Sequence, residues 1–137
     1  MTVRMGTEAD KRIIFAIRPQ AEQFFSADGY FLAAEENGEI AGFAAVFSRD
    51  IPAPAGEREA FINVIEVFEN CQRKGFATML VQEVLRFEKN NGTYQVRAYC
   101  DIGNAASHGL WRKNRFGISP VKMPDGSIAG SFVTYVL

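Results

Sequence analysis

Between Phe61 and Lys89 the sequence changes period once, and abruptly. Phe61 to Phe68 is apolar and rich in Ile and Val, which predicts a strand. Ala77, Leu80, Val81, Val84 and Leu85 then recur at helical spacing, while Gln82, Glu83, Arg86 and Lys89 take the opposite face. Only a short polar turn containing Gly75 separates the two patterns. A strand that feeds a helix this directly requires a sheet with that helix packed on it. Asn90-Asn91-Gly92 stops the helix, and Tyr94 to Cys100 reads as the next strand.

The flanking sequence fits the same plan. Val3-Arg4 reads as a short first strand. Thr7-Glu8-Ala9-Asp10 opens a helix, with Thr7 as N-cap and acids in the first turn. Ile13, Ile14, Ile17 and Ala21 predict its buried stripe, and Pro19 should end it near Arg18. A second short helix carries Phe24 and Phe25. Tyr30 to Ala34 and Ile40 to Phe47 read as a hairpin joined at Asn37-Gly38. Pro52 to Gly56 is a loop, too short for a domain linker. Asn104 to Asn114 predicts a short helix, Pro120 to Gly126 a loop, and Ser131 to Val136 a last strand. The expectation is one α/β (α+β) domain over residues 1–137, its central sheet mixed and mostly antiparallel, with helices on both faces.

Composition narrows the function classes. The net charge is -1, and the basic residues are scattered, which argues against a nucleic-acid surface. The longest apolar run, Ile40 to Phe47, is far short of the about 20 residues needed to span a bilayer. With one His and two separated cysteines, no metal-ligand cluster is expected. Met1 to Met5 lacks the apolar run of a signal peptide. Cys71 and Cys100 are therefore expected as free thiols in a cytoplasmic protein.

The chemistry concentrates in the turn before the central helix. The first N–H groups of a helix have no internal partner, and the helix dipole adds positive potential there. Gly75 removes a side chain where a ligand must approach backbone, Ala77 is nearly as small, and Arg73 and Lys74 add charge. Such a turn suits a phosphate or pyrophosphate. The plain alternative is that Gly75 only closes a tight turn. Neither a G-x-G-x-x-G fingerprint nor a P-loop is present.

Gln72-Arg73-Lys74-Gly75-Phe76-Ala77 resembles the Gln/Arg-x-x-Gly-x-Gly/Ala motif of the GNAT superfamily of acyl-CoA-dependent N-acetyltransferases, with Val67 at that family's Val. Downstream, Asn104, Leu110 and Phe116 fit its Asn-x-x-Ala-x-x-Leu-Tyr-x-x-x-Gly-Phe pattern, with Ser107, Trp111 and Arg115 replacing the Ala, the Tyr and the Gly. The resemblance implies an acetyl group moving from acetyl-CoA to an amine by direct attack. It implies that the pyrophosphate lies on backbone amides of Gln72, Arg73, Lys74, Gly75, Phe76 and Ala77. It implies that the pantetheine runs along Ile65 to Val67, where the strand splays, and that the Val67 backbone N–H polarises the acetyl carbonyl. Asn104 would contact the pantetheine or position the last helix. The implied partners are acetyl-CoA and an amine, with no nucleic acid or membrane, in a monomer or homodimer.

Trp111 departs from the pattern. An indole N–H donates a hydrogen bond but is no acid near neutral pH, so Trp111 is expected to pack against the cofactor and the core. Glu66 is the carboxylate candidate for proton handling, and equally an ordinary edge charge; strand alternation puts it on the opposite face from Asn63. His108 reads as a solvated or capping side chain, and Cys100 as a small hydrophobe. Phe24, Phe25, Tyr30 and Phe31 read as core, or as walls of an acceptor site. A module that binds acyl-CoA without catalysis is the second hypothesis, favoured by the missing Tyr.

Overall fold

The computed structural model describes residues 1–137. Seven strands form one sheet: β1 (Thr2–Met5), β2 (Tyr30–Glu36), β3 (Glu39–Asp50), β4 (Arg58–Val67), β5 (Gln95–Asp101), β6 (Gly117–Lys122) and β7 (Ile128–Val136). Their spatial order is β1-β2-β3-β4-β5-β7-β6, and only β4 and β5 run parallel. The helices are α1 (Glu8–Ile17), α2 (Phe76–Asn90) and α3 (Ala105–Lys113), with a 3-10 turn at Pro19–Phe24.

Two cores lie on the two faces of the sheet. The larger packs Phe76, Leu80, Val81, Val84 and Leu85 of α2 and Trp111 of α3 on Leu32, Ala44, Ala60, Ile62, Val96, Ala98 and Val133. The smaller packs Ile14 and Ala21 on Phe31, Phe43, Ala45 and Phe68, with Phe15 and Phe25 against them. Phe25 and Phe31 are therefore core contacts, as the plainer sequence reading had them. The far end of α2 is tied down by the buried carboxylate of Glu88, which accepts from Tyr30 Oη and from Thr93 Oγ1 at 2.6 Å.

Three expectations need correction. The buried stripe of α1 runs through Asp10 and Ile14, while Ile13 and Ile17 are 47% and 46% exposed. An acid can occupy the stripe because Arg4 of β1 grips Asp10 through two hydrogen bonds, at 2.6 and 3.1 Å. Gly117–Lys122, partly read as loop because of Pro120, is a strand; it lies at the sheet edge, where a missing N–H costs no ladder bond.

The third correction concerns Asn63 and Glu66. Ala45 pairs with Val64, but Val46 pairs with Ile62, so Asn63 is an extra residue in β4, a β-bulge. Ile62 and Ile65 both face the larger core, and Val64 faces the smaller one. The bulge thus brings Asn63 and Glu66 to one face. Asn63 Nδ2 donates to Phe24 O at 3.0 Å, and Glu66 Oε2 lies 2.6 Å from Arg18 Nε.

Candidate functional site

β4 and β5 pair only from Glu59↔Gln95 to Ile62↔Ala98. Beyond that point β4 stays on β3, up to Val67↔Gly42, and parts from β5. Gly42 permits the tight β3–β4 approach, since a Cβ there would sit 2.5 Å from Glu66 O. Phe68 N–H donates to Ala41 O at 2.8 Å on the β3 side. By alternation the N–H groups of Val67 and Ile65 point the other way, to the edge that β5 has left. Gln72 Nε2 donates to Val67 O at 3.1 Å across that same edge, tying the turn to the strand.

The turn leaves its donors free. Gly75 is the N-cap of α2, at φ 89°, and no side chain caps the helix. Arg73 also has positive φ, at 66°. The first helical bond is Met79 N–H to Gly75 O, at 3.0 Å. The backbone N–H groups from Arg73 to Thr78 donate to no protein acceptor. A Cβ at Gly75 would meet no atom within 4 Å, so the space above the turn is open.

These parts border a single cleft of about 570 Å³. It is lined by Ile65, Glu66 and Val67 of β4, by Gln72, Arg73, Gly75, Phe76, Ala77 and Thr78 of the turn and α2, and by Asn104, Ala106, Ser107 and Leu110 at the start of α3. Asn104 Oδ1 caps α3 by accepting from Ser107 N–H at 3.0 Å. The arrangement suits a long ligand with an anionic end: a row of aligned donors at a helix N-terminus, then an unpaired strand edge with apolar side chains.

Two expected residues lie elsewhere. Lys74 is not in the cleft lining; its Nζ is 2.7 Å from Glu36 Oε1, a bond that raises the pKa of the lysine. Its side chain is drawn to β2, so only its backbone N–H remains available to the turn. Trp111 is 1% exposed and packs on Phe116 in the larger core. It does not border the cleft, because its indole is turned inward and reaches the site only through Ser107. Cys100 is buried in the same core. Thr78, Ala106 and Ser107 were not expected in the lining. The helix spacing carries that signal: Thr78 follows Ala77 in the first turn of α2, and Ser107 lies three residues past Asn104.

Fold and cleft together define an α/β protein that presents backbone amides to an anionic ligand beside a parted pair of parallel strands. The model of the acetyltransferase (GNAT) family matches residues 5–117, and the chain belongs to that family. Mycothiol acetyltransferase of Paenarthrobacter aurescens is 31% identical over 100 residues, covering 71% of this chain and 30% of that relative. The enzyme of that name from Saccharomonospora viridis is 31% identical over 105 residues, covering 71% and 32%. The chain thus spans about a third of the curated relatives it matches. Among solved structures, the ribosomal-protein-S18-alanine N-acetyltransferase of Escherichia coli superposes with a TM-score of 0.76 at 16% identity, covering 98% of this chain and 92% of that one. A GNAT family acetyltransferase from Elizabethkingia anophelis with acetyl-CoA bound gives 0.73 at 18% identity, covering 99% and 97%. At such identities the likeness is one of fold.

Proposed function

We infer that this chain is an N-acetyltransferase that moves the acetyl group of acetyl-CoA to a primary amine of a small molecule or peptide. The observation that carries the reading is the row of unpartnered backbone N–H groups from Arg73 to Thr78, opening onto the free edge of β4. Gln72 to Ala77 would hold the pyrophosphate, with Lys74 contributing its backbone rather than its side chain. Ile65 and Val67 would align the pantetheine, and Asn104 would shape the opposite wall. The outward N–H of Val67 would stabilise the charge that develops on the acetyl oxygen. The amine attacks the carbonyl carbon, so no protein nucleophile is needed; positioning supplies most of the rate.

Glu66 is the carboxylate of this cleft, and its ion pair with Arg18 connects it to the segment that follows α1. We assign it to steering a cationic amine, with proton loss to water. The whole of 1–137 is read as one catalytic unit, working in a reducing, cytoplasmic setting with Cys71 and Cys100 as free thiols. Release of CoA thiol from acetyl-CoA tests the reading, against polyamines, amino acids, aminoglycosides, peptide N-termini and the amine substrate of mycothiol acetyltransferase. Turnover with one class of amine is the expected result. Absence of both turnover and CoA binding would overturn the reading; tight CoA binding without turnover would leave a regulatory module of the same fold.

A further inference from the structure

Trp111 and Ser107 form a pair whose polarity is fixed by chemistry. An indole N–H can only donate. Trp111 is 1% exposed, so its N–H needs a protein acceptor, and it finds Ser107 Oγ at 3.0 Å. Helical side chains lean toward the N-terminus, which brings the residue at 111 over the one at 107. A serine hydroxyl has one donor and two acceptor positions. Trp111 occupies an acceptor position, and Asn104 takes the backbone N–H of Ser107 rather than its side chain. The hydroxyl proton donates to no protein group, while Ser107 borders the cleft that also contains Val67.

We propose that Ser107 is the hydrogen-bond donor to the sulfur of the departing CoA thiolate, with Trp111 as the positioning residue that turns the hydroxyl proton toward the cleft. The proposal rests on the acetyltransferase reading above. The amine lone pair forms the new N–C bond, the C–S bond breaks, and its electron pair stays on sulfur. Ser107 shares its proton in a hydrogen bond without giving it up, because a thiol with a pKa near 8.5 is far more acidic than an aliphatic hydroxyl. The amine's surplus proton goes to water, and the thiolate later takes one from solvent. The sulfur is bonded to the same carbon whose oxygen Val67 N–H would polarise, so one group serves each atom that gains charge.

The test titrates the thiol of CoA bound to the protein, followed by the ultraviolet absorbance of the thiolate, alongside CoA affinity and kcat. A hydrogen bond to a charged partner is worth about 1.5–3 kcal/mol, or about 10- to 100-fold. Ser107→Ala should lower the acid dissociation constant of the bound thiol about 10-fold or more and reduce kcat by a similar factor. The affinity for neutral CoA thiol should change little, and Ser107→Thr should restore both readouts. Trp111→Phe should move them in the same direction by less, and should add nothing to Ser107→Ala. The double variant also leaves no buried N–H unpaired, so it keeps the test open if Ser107→Ala folds poorly. A bound thiol equally acidic in Ser107→Ala and in the parent overturns the role of Ser107 while leaving the cleft reading in place. Failure of the parent protein to bind CoA overturns both.

Discussion

The starts of α1 and α2 solve the same physical problem in opposite ways. At α1, Thr7 Oγ1 accepts from Asp10 N–H at 3.3 Å, and Asp10 returns the bond by accepting from Thr7 N–H at 2.8 Å. Arg4 closes the arrangement with its ion pair to Asp10. That end is capped by its own side chains, without any ligand. At α2 the N-cap is a glycine in the left-handed region, no side chain reaches the amides, and the space in front of them is open. One end turns side chains of the fold toward its donors. The other holds them in reserve, which is how a helix terminus becomes a binding site.

The contrast predicts that damage at α2 reads out as lost affinity and damage at α1 as lost stability. The largest effect is expected for Gly75→Val. A Cβ there meets no protein atom within 4 Å, so the main folding cost is the strain of a β-branched residue at φ 89°, while the added side chain intrudes where the ligand must lie. Loss of two charge-assisted bonds predicts CoA binding weaker by about 100-fold or more in calorimetry, with the circular dichroism spectrum retained. Unchanged affinity in the folded variant would mean that the anion does not sit on this turn.

Ligand addition comes next. Acetyl-CoA at about 100 times its dissociation constant should stabilise the parent protein by about 2.7 kcal/mol in a thermal-shift titration. Hydrogen exchange at the amides from Arg73 to Thr78 should slow on binding, whereas those at Thr7 and Asp10, already bonded, should not change. Equal slowing at both helices would erase the distinction drawn between them.

Asp10 supplies a smaller effect with a definite pH signature. The hydrogen bond from Arg4 holds its carboxyl down at about 2, against an ordinary value of 3.8. A depressed acid stabilises the fold above its unfolded pKa, and the contribution drains away as pH falls through the folded value. The side chain of Arg4 is 38% exposed, so solvent screening trims the effect to about 1–2 kcal/mol. Asp10→Asn should therefore lose about that much at pH 7, and the gap from the parent should close between about pH 4 and pH 2. A gap that persists at pH 2 would assign the cost to packing instead. Thr7→Ala should cost about 1 kcal/mol by denaturant unfolding and leave CoA affinity untouched. A drop in affinity there would couple the two helix starts.

Much of the scaffold was legible because local chemistry and tertiary position agree. The turn at Asn37-Gly38, the apolar stripe of α2 and the Thr7 cap each depend on residues near in sequence, and each has its predicted form. What escaped depends on partners distant in sequence. Asp10 is buried because Arg4 reaches it from β1, so ranking α1 by hydrophobicity chose Ile13 and Ile17 instead. Lys74 reads as a phosphate contact until Glu36, 38 residues away, claims its side chain. The inward turn of Trp111 depends on Phe116 and on the acceptor at Ser107, neither visible in a substitution of Trp for Tyr. The bulge at Asn63 leaves no local mark, because an extra strand residue looks like any other until it is paired.

That bulge makes β4 a matter of parity. Removing Asn63 alone would restore plain alternation and leave the faces from Val64 to Val67 as they are, at the cost of the hydrogen bond to Phe24 O. Removing both Asn63 and Val64 would exchange those faces: the carboxylate at 66 would be driven against the apolar underside of α2, and Ile65 and Val67 would be thrust toward Arg18. The bulge therefore absorbs a one-residue change in the length of β4 that a strand without one would pass on to every side chain beyond it.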